Sequence, residues 1–393
     1  MSRKSRRQRG HVRERSPGKW EVRANAGKVA PGKWKTVTTT VQGTREDAEA
    51  ELDRLRQAHR GGIDIKPSKQ TVAEYFEQWL EGMKTQISPR SHERYTELVD
   101  QHIVPLLGAT TKLKALRKEN ITGAYAKAFT SGRLDGKGGL SAATVVYIHR
   151  ITKQALMHAG LWPREWDGKR GIRPPKPERK PMVIYNADQT ANLIELARST
   201  SLLVPMLLAA TTGMRRGEIA ALRWRNVDLG KAQLSVEQSA EQTKAGVRYK
   251  PPKNGKGRTV ALPAMVVEEL RAHRVRQAED LLRLGVRLSD ESFVAAQADG
   301  SPYQPRSLTH AVAQFRARHK LPRIWLHALR HSHATAMLKA RIHPKIAQER
   351  LGHSSIQVTL DLYSHVVEGM QEEAAAAVDD ALGEALNRQR NVQ

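Results

Sequence analysis

Six residues in the last half of this 393-residue chain have the types and placement needed to move a phosphoryl group: Arg215, Lys253, His327, Arg330, His353 and Tyr363. They fall in five short stretches: Thr212-Gly213-Met214-Arg215-Arg216-Gly217-Glu218, Pro252-Lys253-Asn254-Gly255-Lys256, His327-Ala328-Leu329-Arg330-His331, Leu351-Gly352-His353 and Tyr363-Ser364-His365. Arginine offers a planar fork that fits two phosphate oxygens and stays charged at any working pH. Arg215 follows Gly213 at the mouth of a turn, and Arg216, the adjacent alternative, should point elsewhere. His327 and Arg330 are three apart at a helix start, which puts both on one face beside amides and a dipole that favour an anion. A lysine can protonate a leaving oxygen, which arginine does not readily do. A tyrosine hydroxyl can attack phosphorus once a base or a hydrogen bond activates it. Taken singly, each has an ordinary structural reading: a packed tyrosine, a core histidine, a surface ion pair.

The elements around them can be read from periodicity and turn signals. Pro344 opens a helix that ends near Leu351 with Gly352 as its stop, so His353 sits on a tight turn. Ser354 or Ser355 can cap the next helix, with Val358, Leu362 and Val366 as its core face, and Tyr363 lies on that helix. Helices are predicted at 187–199, 202–211 and 217–223, and strands at 232–238, 246–250 and 258–262. The last two strands flank Asn254-Gly255, a strong turn signal that would put Lys253 and Lys256 on a hairpin tip. These elements make residues 182–393 a mixed α+β domain.

Upstream, residues 68–165 read as a helical module. Val72, Phe76, Trp79, Leu80 and Met83 keep helical spacing, Ser88-Pro89 is an N-cap followed by a first-turn proline, and that helix carries Tyr95, Leu98, Val99 and Ile103. A short helix holds Ile121 to Phe129, and Ser141 caps a last one with Val145, Ile148, Ala155 and Leu156 inward. The run Arg173-Pro174-Pro175-Lys176-Pro177 cannot continue a helix and marks a basic linker. At the N-terminus, β-like runs around Trp20–Ala24 and Lys33–Val41, three short strands in all, precede a helix from about Arg45 to His59 with Thr44 and Asp47 in a near capping box. The fold class is thus multidomain and mainly α with small β elements. The boundaries are 1–66 for a small β-sheet plus helix domain, 67–165 for the helical domain, 166–181 for the linker and 182–393 for the mixed domain with a C-terminal tail helix.

Composition names the partner class. The net charge is +26, from 66 Lys plus Arg against 40 Asp plus Glu, and twelve of the cations fall in residues 1–35. So large an excess implies a polyanion, with nucleic acid favoured because clustered cations release counterions from phosphates. There is no cysteine, which excludes disulfides, thiolate metal sites and a cysteine nucleophile. No secretory signal or membrane span is apparent, so a soluble intracellular protein is expected.

The ordered set T-G-x-R-x-x-E, a hairpin lysine, H-x-L-R-H, L-G-H and then Y resembles the phage-integrase branch of the tyrosine recombinase family over residues 205–367. Each piece alone is weak; five in order, ending at the tyrosine, are specific. The first two segments resemble, in layout, the family's arm-site DNA-binding and helical core-binding (SAM-like) domains. The resemblance implies that Arg215, Lys253, His327, Arg330 and His353 activate the phosphate and that Tyr363 is the nucleophile, with Lys244 and Lys256 as rivals to Lys253. His331 would be a frequent but inessential neighbour, and Glu218 a support for the first arginine. It implies integration of a phage or mobile element through a 3′-phosphotyrosyl intermediate, without metal or other cofactor. The implied partners are double-stranded attachment-site DNA, a homotetramer on that DNA, and accessory bending or excision proteins, in the cytoplasm of a bacterial host. The acidic segment 368–384 reads as a helix that docks either on a neighbouring subunit or on its own domain.

Three other readings compete. A metal-dependent nuclease or transposase would use His327, His331, His333, His353 and His365 as ligands, but the His327–His331 pair lacks the glutamate of a zincin helix and no spaced carboxylate set accompanies it. A DNA-binding regulator explains the charge but not the ordered His, Arg, Lys and Tyr set. A type IB topoisomerase shares the chemistry, and the separate basic N-terminal module favours integration over it.

Overall fold

The computed structural model describes residues 10–30, 33–60, 69–178, 183–252, 255–322 and 324–363, together with 375, 376, 378–380, 382, 383 and 388 of the tail. The chain forms two compact units, Met1–Arg179 and Lys180–Gln393. No helix among the described residues is long and apolar enough to cross a membrane.

The first unit holds two separate apolar clusters. In one, an antiparallel meander of β1 (His11–Ser16), β2 (Lys19–Ala30) and β3 (Lys33–Gln42) packs against α1 (Arg45–Arg60). Alternation places Val22 and Ala24 on the face that meets Ala48, Leu52 and Leu55. Thr44 and Asp47 start α1: the Asp47 carboxylate accepts from both the amide and the hydroxyl of Thr44. The predicted helix is therefore observed, while β1 is a strand that sequence periodicity did not locate.

The other cluster is all helical: α2 (Val72–Met83), α3 (Pro89–Leu98), α4 (Val104–Leu107), α5 (Lys118–Ser131) and α6 (Ala142–His158). Thr71, Ser88 and Ser141 each accept from an amide in the first turn of the helix they precede. A π-helical turn, Val99–Ile103, joins α3 to α4. It widens the ladder just before Pro105, which has no N–H to donate. Val72, Phe76, Trp79, Ile103, Ile121, Ile148 and Leu156 form the centre, so the aromatics of α2 are core residues.

The second unit is built around α8 (Leu203–Thr212), whose residues are apolar and buried almost throughout. Around it pack α7 (Ala187–Ala197), α10 (Ala264–Arg283) and α12 (Leu326–Lys339). The remaining helices are α9 (Arg216–Ile219), α11 (Pro305–Arg318), α13 (Pro344–Leu351) and α14 (Ile356–Tyr363). The helix predicted at 217–223 is only the single turn α9, after which the chain bridges to Phe293 from Arg223.

The strands differ from expectation in pairing. A three-stranded sheet has the order β4-β5-β8, from Val227–Asp228, Gln233–Val236 and Arg258–Ala261, and a separate hairpin joins β6 (Ser239–Thr243) to β7 (Gly246–Lys250). The strands on either side of Asn254-Gly255 therefore do not pair with each other. The prolines at 251 and 252 explain this: with no N–H to give, they end the β7 ladder. Just past the end of that ladder, the Gly255 amide donates to Pro252 O at 2.8 Å. The true hairpin tip carries Lys244, with Thr243 paired to Gly246 across it. Lys256 thus lies on a connection between two sheets rather than on a hairpin tip, and Lys253 on that same connection lies outside the described residues.

Candidate phosphoryl-transfer site

Two helix ends and one turn assemble the site. α8 stops at Gly213, which adopts the left-handed conformation with φ 66°. A Cβ there would come within 2.5 Å of Leu351 Cδ2 and 3.0 Å of His333 Cδ2, so only glycine lets α8 end against α12 and α13. The reversed chain presents Arg215 as the N-cap residue of α9. Its amide and its Nη1 both donate to the Glu218 carboxylate at 2.9 Å, and its Nη2 donates to Gly352 O at 2.8 Å. Arg216 turns away, donating through Nη1 to Thr309 Oγ1 at 2.5 Å.

Arg330 is the fifth residue of α12 and is only 2% exposed. Among the described residues no carboxylate pairs with it directly. Its Nη1 donates to Gly213 O at 2.5 Å and its Nη2 to Leu351 O at 2.6 Å, the last carbonyls of α8's stop and of α13. Those carbonyls carry the partial negative charge of a helix end, which suits a cation. Burial first, and then the charge of Arg215, bring the Arg330 guanidinium down to about 9, still protonated at neutral pH. The surface ion pair that the sequence left open for this residue is not what it makes.

Glu218 was expected to support the first arginine, and it does so from a nearly sealed position, 1% exposed. A residue that sequence reasoning passed over completes the arrangement: Arg258 of β8 grips both carboxylate oxygens, Nη1 to Oε1 at 3.1 Å and Nη2 to Oε2 at 2.7 Å. Burial alone would raise the Glu218 pKa. The hydrogen bonds and charge of Arg258, with those of Arg215, outweigh it and hold the carboxylate below its ordinary value.

The histidines crowd the same cations. His327 and His331 sit edge to face on α12, ring centres 4.5 Å apart. His327 is shifted down by burial and then by Arg330, Arg215 and Arg216. His353 follows Gly352, the left-handed stop of α13. Its Nδ1 is 2.9 Å from Thr359 Oγ1. Burial, then Arg330, Arg215, His331 and Arg258, bring its pKa down to about 3. The charges of Arg330 and Arg215 thus act on both His327 and His353, which groups the four residues in one cluster. Thr359 is the second residue the sequence did not flag. It is fully buried, whereas Val358, expected on the core face of α14, is 44% exposed. Its position six residues after His353, on the next helix, was the available signal.

Tyr363 is the last residue of α14, which packs against α12 and α13, the two helices that bear Arg330, His327 and the turn to His353. The side chain of Tyr363, like Lys253, Leu362, Val366, His365 and most of the tail, lies outside the described residues.

The cluster brings two guanidiniums together with imidazoles whose lowered pKa keeps them neutral, a set of groups whose chemistry favours an anion. That is the requirement for stabilising charge as it builds on phosphorus. Comparison with known proteins gives the chemistry a lineage. The model of the Phage integrase family matches residues 184–369, and that of the Phage integrase N-terminal SAM-like domain matches residues 71–128. A tyrosine recombinase XerC-like protein of Caldanaerobacter subterraneus subsp. tengcongensis is 25% identical over 86% of this chain and 90% of its own length. An integrase of Streptomyces ambofaciens is 26% identical over 92% of this chain and 93% of its own length. Among solved structures, the fold is shared with the Tn1549 transposon integrase in complex with transposon right end DNA (TM-score 0.62, 18% identity, 80% of this chain and 100% of that one). It is shared too with a lambda integrase tetramer bound to a Holliday junction (TM-score 0.53, 19% identity, 90% and 95%). The chain belongs to the tyrosine recombinases, in their phage integrase branch, and is a site-specific recombinase of DNA.

Proposed function

We propose that this chain integrates a phage or mobile element by cutting and rejoining attachment-site DNA through Tyr363. The observation that carries the reading is the convergence of Arg215 and Arg330 on adjacent carbonyls, Gly352 and Leu351, immediately before His353. That arrangement suits a scissile phosphate better than any neutral ligand.

In this reading the Tyr363 oxygen attacks phosphorus. A bond forms between that oxygen and phosphorus, and the bond from phosphorus to the 5′-oxygen breaks. A free phenol has a pKa of about 10, so only ~0.1% is ionised at neutral pH. His327 takes the proton: with its pKa lowered it is neutral and keeps a lone pair. Arg215 and Arg330 balance charge on the nonbridging oxygens, most strongly in the pentavalent transition state, and His353 donates to the same oxygens. Lys253 protonates the departing 5′-oxygen, with Lys244 and Lys256 as the other candidates. Attack by a 5′-hydroxyl from another strand reverses the steps and rejoins the DNA. The guanidiniums supply the positive charge that a metal ion supplies in other phosphoryl-transfer enzymes.

The other segments take supporting roles. Residues 1–66 bind arm sites, 67–165 bind the core site, 166–181 link the two along the duplex, and 182–393 form the catalytic domain. Four copies assemble on DNA, as the lambda integrase does on a Holliday junction. The acidic tail docks on a neighbouring copy, and accessory proteins bend the DNA.

The test is covalent capture. A library of randomised duplexes, each nicked near its centre, lets the short 5′-hydroxyl fragment leave after cleavage and traps the phosphotyrosyl link. The wild-type protein is expected to form an adduct with a defined sequence, and Tyr363→Phe to form none while binding the same duplex. An adduct on the Phe variant, or none on the wild type, overturns the reading.

A further inference from the structure

Three successive carbonyls at the end of α13 each accept from a different arginine. Arg350 O accepts from Arg258 Nε at 2.8 Å, Leu351 O from Arg330 Nη2 at 2.6 Å, and Gly352 O from Arg215 Nη2 at 2.8 Å. Of these three, Arg258 alone also closes on Glu218 with a two-pronged fork, and the Glu218 carboxylate is thereby shared between Arg258 and Arg215.

We propose that Arg258 is a positioning residue of the strand-cutting site, one that lets Glu218 orient Arg215 without neutralising it. The inference rests on the reading of the previous subsection. A carboxylate paired with Arg215 alone makes a neutral pair, and a phosphate arriving there meets no net charge. With Arg258 included, the group Arg215, Glu218 and Arg258 carries one positive charge in total. The geometry decides where that charge is felt. The Arg258 side chain is 9% exposed and its Nε and both Nη groups point inward, onto Arg350 O and Glu218, whereas the Arg215 side chain is 26% exposed. Arg258 therefore gives both Nη groups to the carboxylate, whereas Arg215 gives it one and is the more exposed of the two. The same guanidinium lies close to Gly352, where a Cβ would meet its Nη1 at 3.0 Å and its Cζ at 3.2 Å. Arg258 thus fixes both the residue before His353 and the residue that orients Arg215.

A charge-balance cycle tests this. The rate of adduct formation and the affinity are measured on the nicked duplex that the wild-type protein selects, for Arg258→Met, Arg258→Lys and the double variant Glu218→Gln with Arg258→Met. Arg258→Met is expected to slow adduct formation about 100-fold with affinity changed less than about threefold, since one donor to a developing oxyanion has that effect on rate. The double variant removes both buried charges and restores the net charge at Arg215. It is expected to run about tenfold faster than Arg258→Met, a coupling of opposite sign to simple loss of scaffold. Arg258→Lys, which keeps charge and loses the fork, should fall between. If Arg258→Met does not fold, the double variant is compared with wild type directly, and a double variant slowed about 100-fold or more overturns the proposal. A double variant no faster than Arg258→Met, or slower than Arg258→Lys by the same factor as Arg258→Met itself, overturns the proposal, as does an Arg258→Met enzyme within twofold of wild type. Failure of the wild-type protein to form any adduct overturns the functional reading instead.

Discussion

His353 Nδ1 and Thr359 Oγ1 lie 2.9 Å apart, one on the turn after α13 and the other buried on α14. With the threonine hydroxyl donating, the imidazole carries its proton on Nε2 and can donate it to a phosphate oxygen. Thr359→Val keeps the shape and removes the donor. It should lower the rate of covalent adduct formation about tenfold and cost about 1 kcal/mol of stability, the usual net worth of one neutral hydrogen bond. Thr359→Ser should retain both. Single-turnover kinetics on the nicked duplex check the first figure and urea unfolding the second; a Val variant as fast as wild type would show that the threonine does not orient the ring.

Arg330 is a buried cation held by two carbonyls, Gly213 O and Leu351 O. Arg330→Ala should abolish detectable cleavage while reducing DNA affinity only a few-fold, because one phosphate contact among many is a small share of binding. Arg330→Lys should rescue little, since a single ammonium lacks the planar fork that spans two acceptors. Filter binding beside adduct formation separates the two effects. Equal losses of affinity and of cleavage would count against a role in the transition state.

Acid should destabilise the protein through its histidines. His331 and His333 are brought down to about 4 and His353 to about 3, in each case mainly by burial and then by cationic neighbours. Unfolded, each returns to about 6.5. Below that value the unfolded chain binds more protons than the folded one, so their contribution is complete above pH 6.5 and is lost as pH falls toward 4. The slope approaches roughly 1.4 kcal/mol per pH unit for each histidine involved. His333 accepts from Arg350 Nε at 3.1 Å, which protonation would oppose. Calorimetry from pH 7.5 to 4.5 should show Tm falling, and His333→Gln should flatten the fall. A Tm independent of pH over this window is the contrary result.

Arg215 and His353 could be picked out because they follow Gly213 and Gly352, helix stops that local rules can read, and Arg330 through its three-residue spacing from His327. Arg258 and Thr359 were missed for a different reason. Their roles depend on which element meets which: β8 against α13, and α14 against the turn at His353. Nothing within a few residues of either announces that meeting. The mistaken hairpin has the same origin. Asn254-Gly255 is a turn signal, but strand pairing is non-local, and β8 joins β5 while β7 joins β6. Hydrophobic period placed Val358 inward, yet among the described side chains of α14 the buried one is its neighbour Thr359, whose hydroxyl has a partner. The helical module of the first unit was the most legible part, since caps and apolar spacing are local.

Gly213 is the position where the fold and the site depend most directly on one atom's absence. Its φ of 66° is left-handed, which costs an ordinary L residue about 1 kcal/mol. An added Cβ would also meet Leu351 Cδ2 at 2.5 Å, inside any tolerable contact, and His333 Cδ2 at 3.0 Å. Neither neighbour can yield freely. Leu351 is fully buried, and the His333 ring is held by Arg350. Overpacking of this kind adds roughly 1–3 kcal/mol. Gly213→Ala should therefore lose about 2–4 kcal/mol in all. The relief available is for α13 to move off α8, which would stretch the bond from Arg330 to Leu351 O. The variant that does fold should cleave DNA more slowly than its stability loss explains, even at temperatures where it is fully native. Paired with it, Leu351→Ala in the Gly213→Ala background makes room for the new methyl. It should recover cleavage relative to Gly213→Ala alone, although it removes further core volume. Recovery of rate alongside a further fall in Tm would tie the defect to the displaced carbonyl; a double variant slower than either single one would tie it to lost packing.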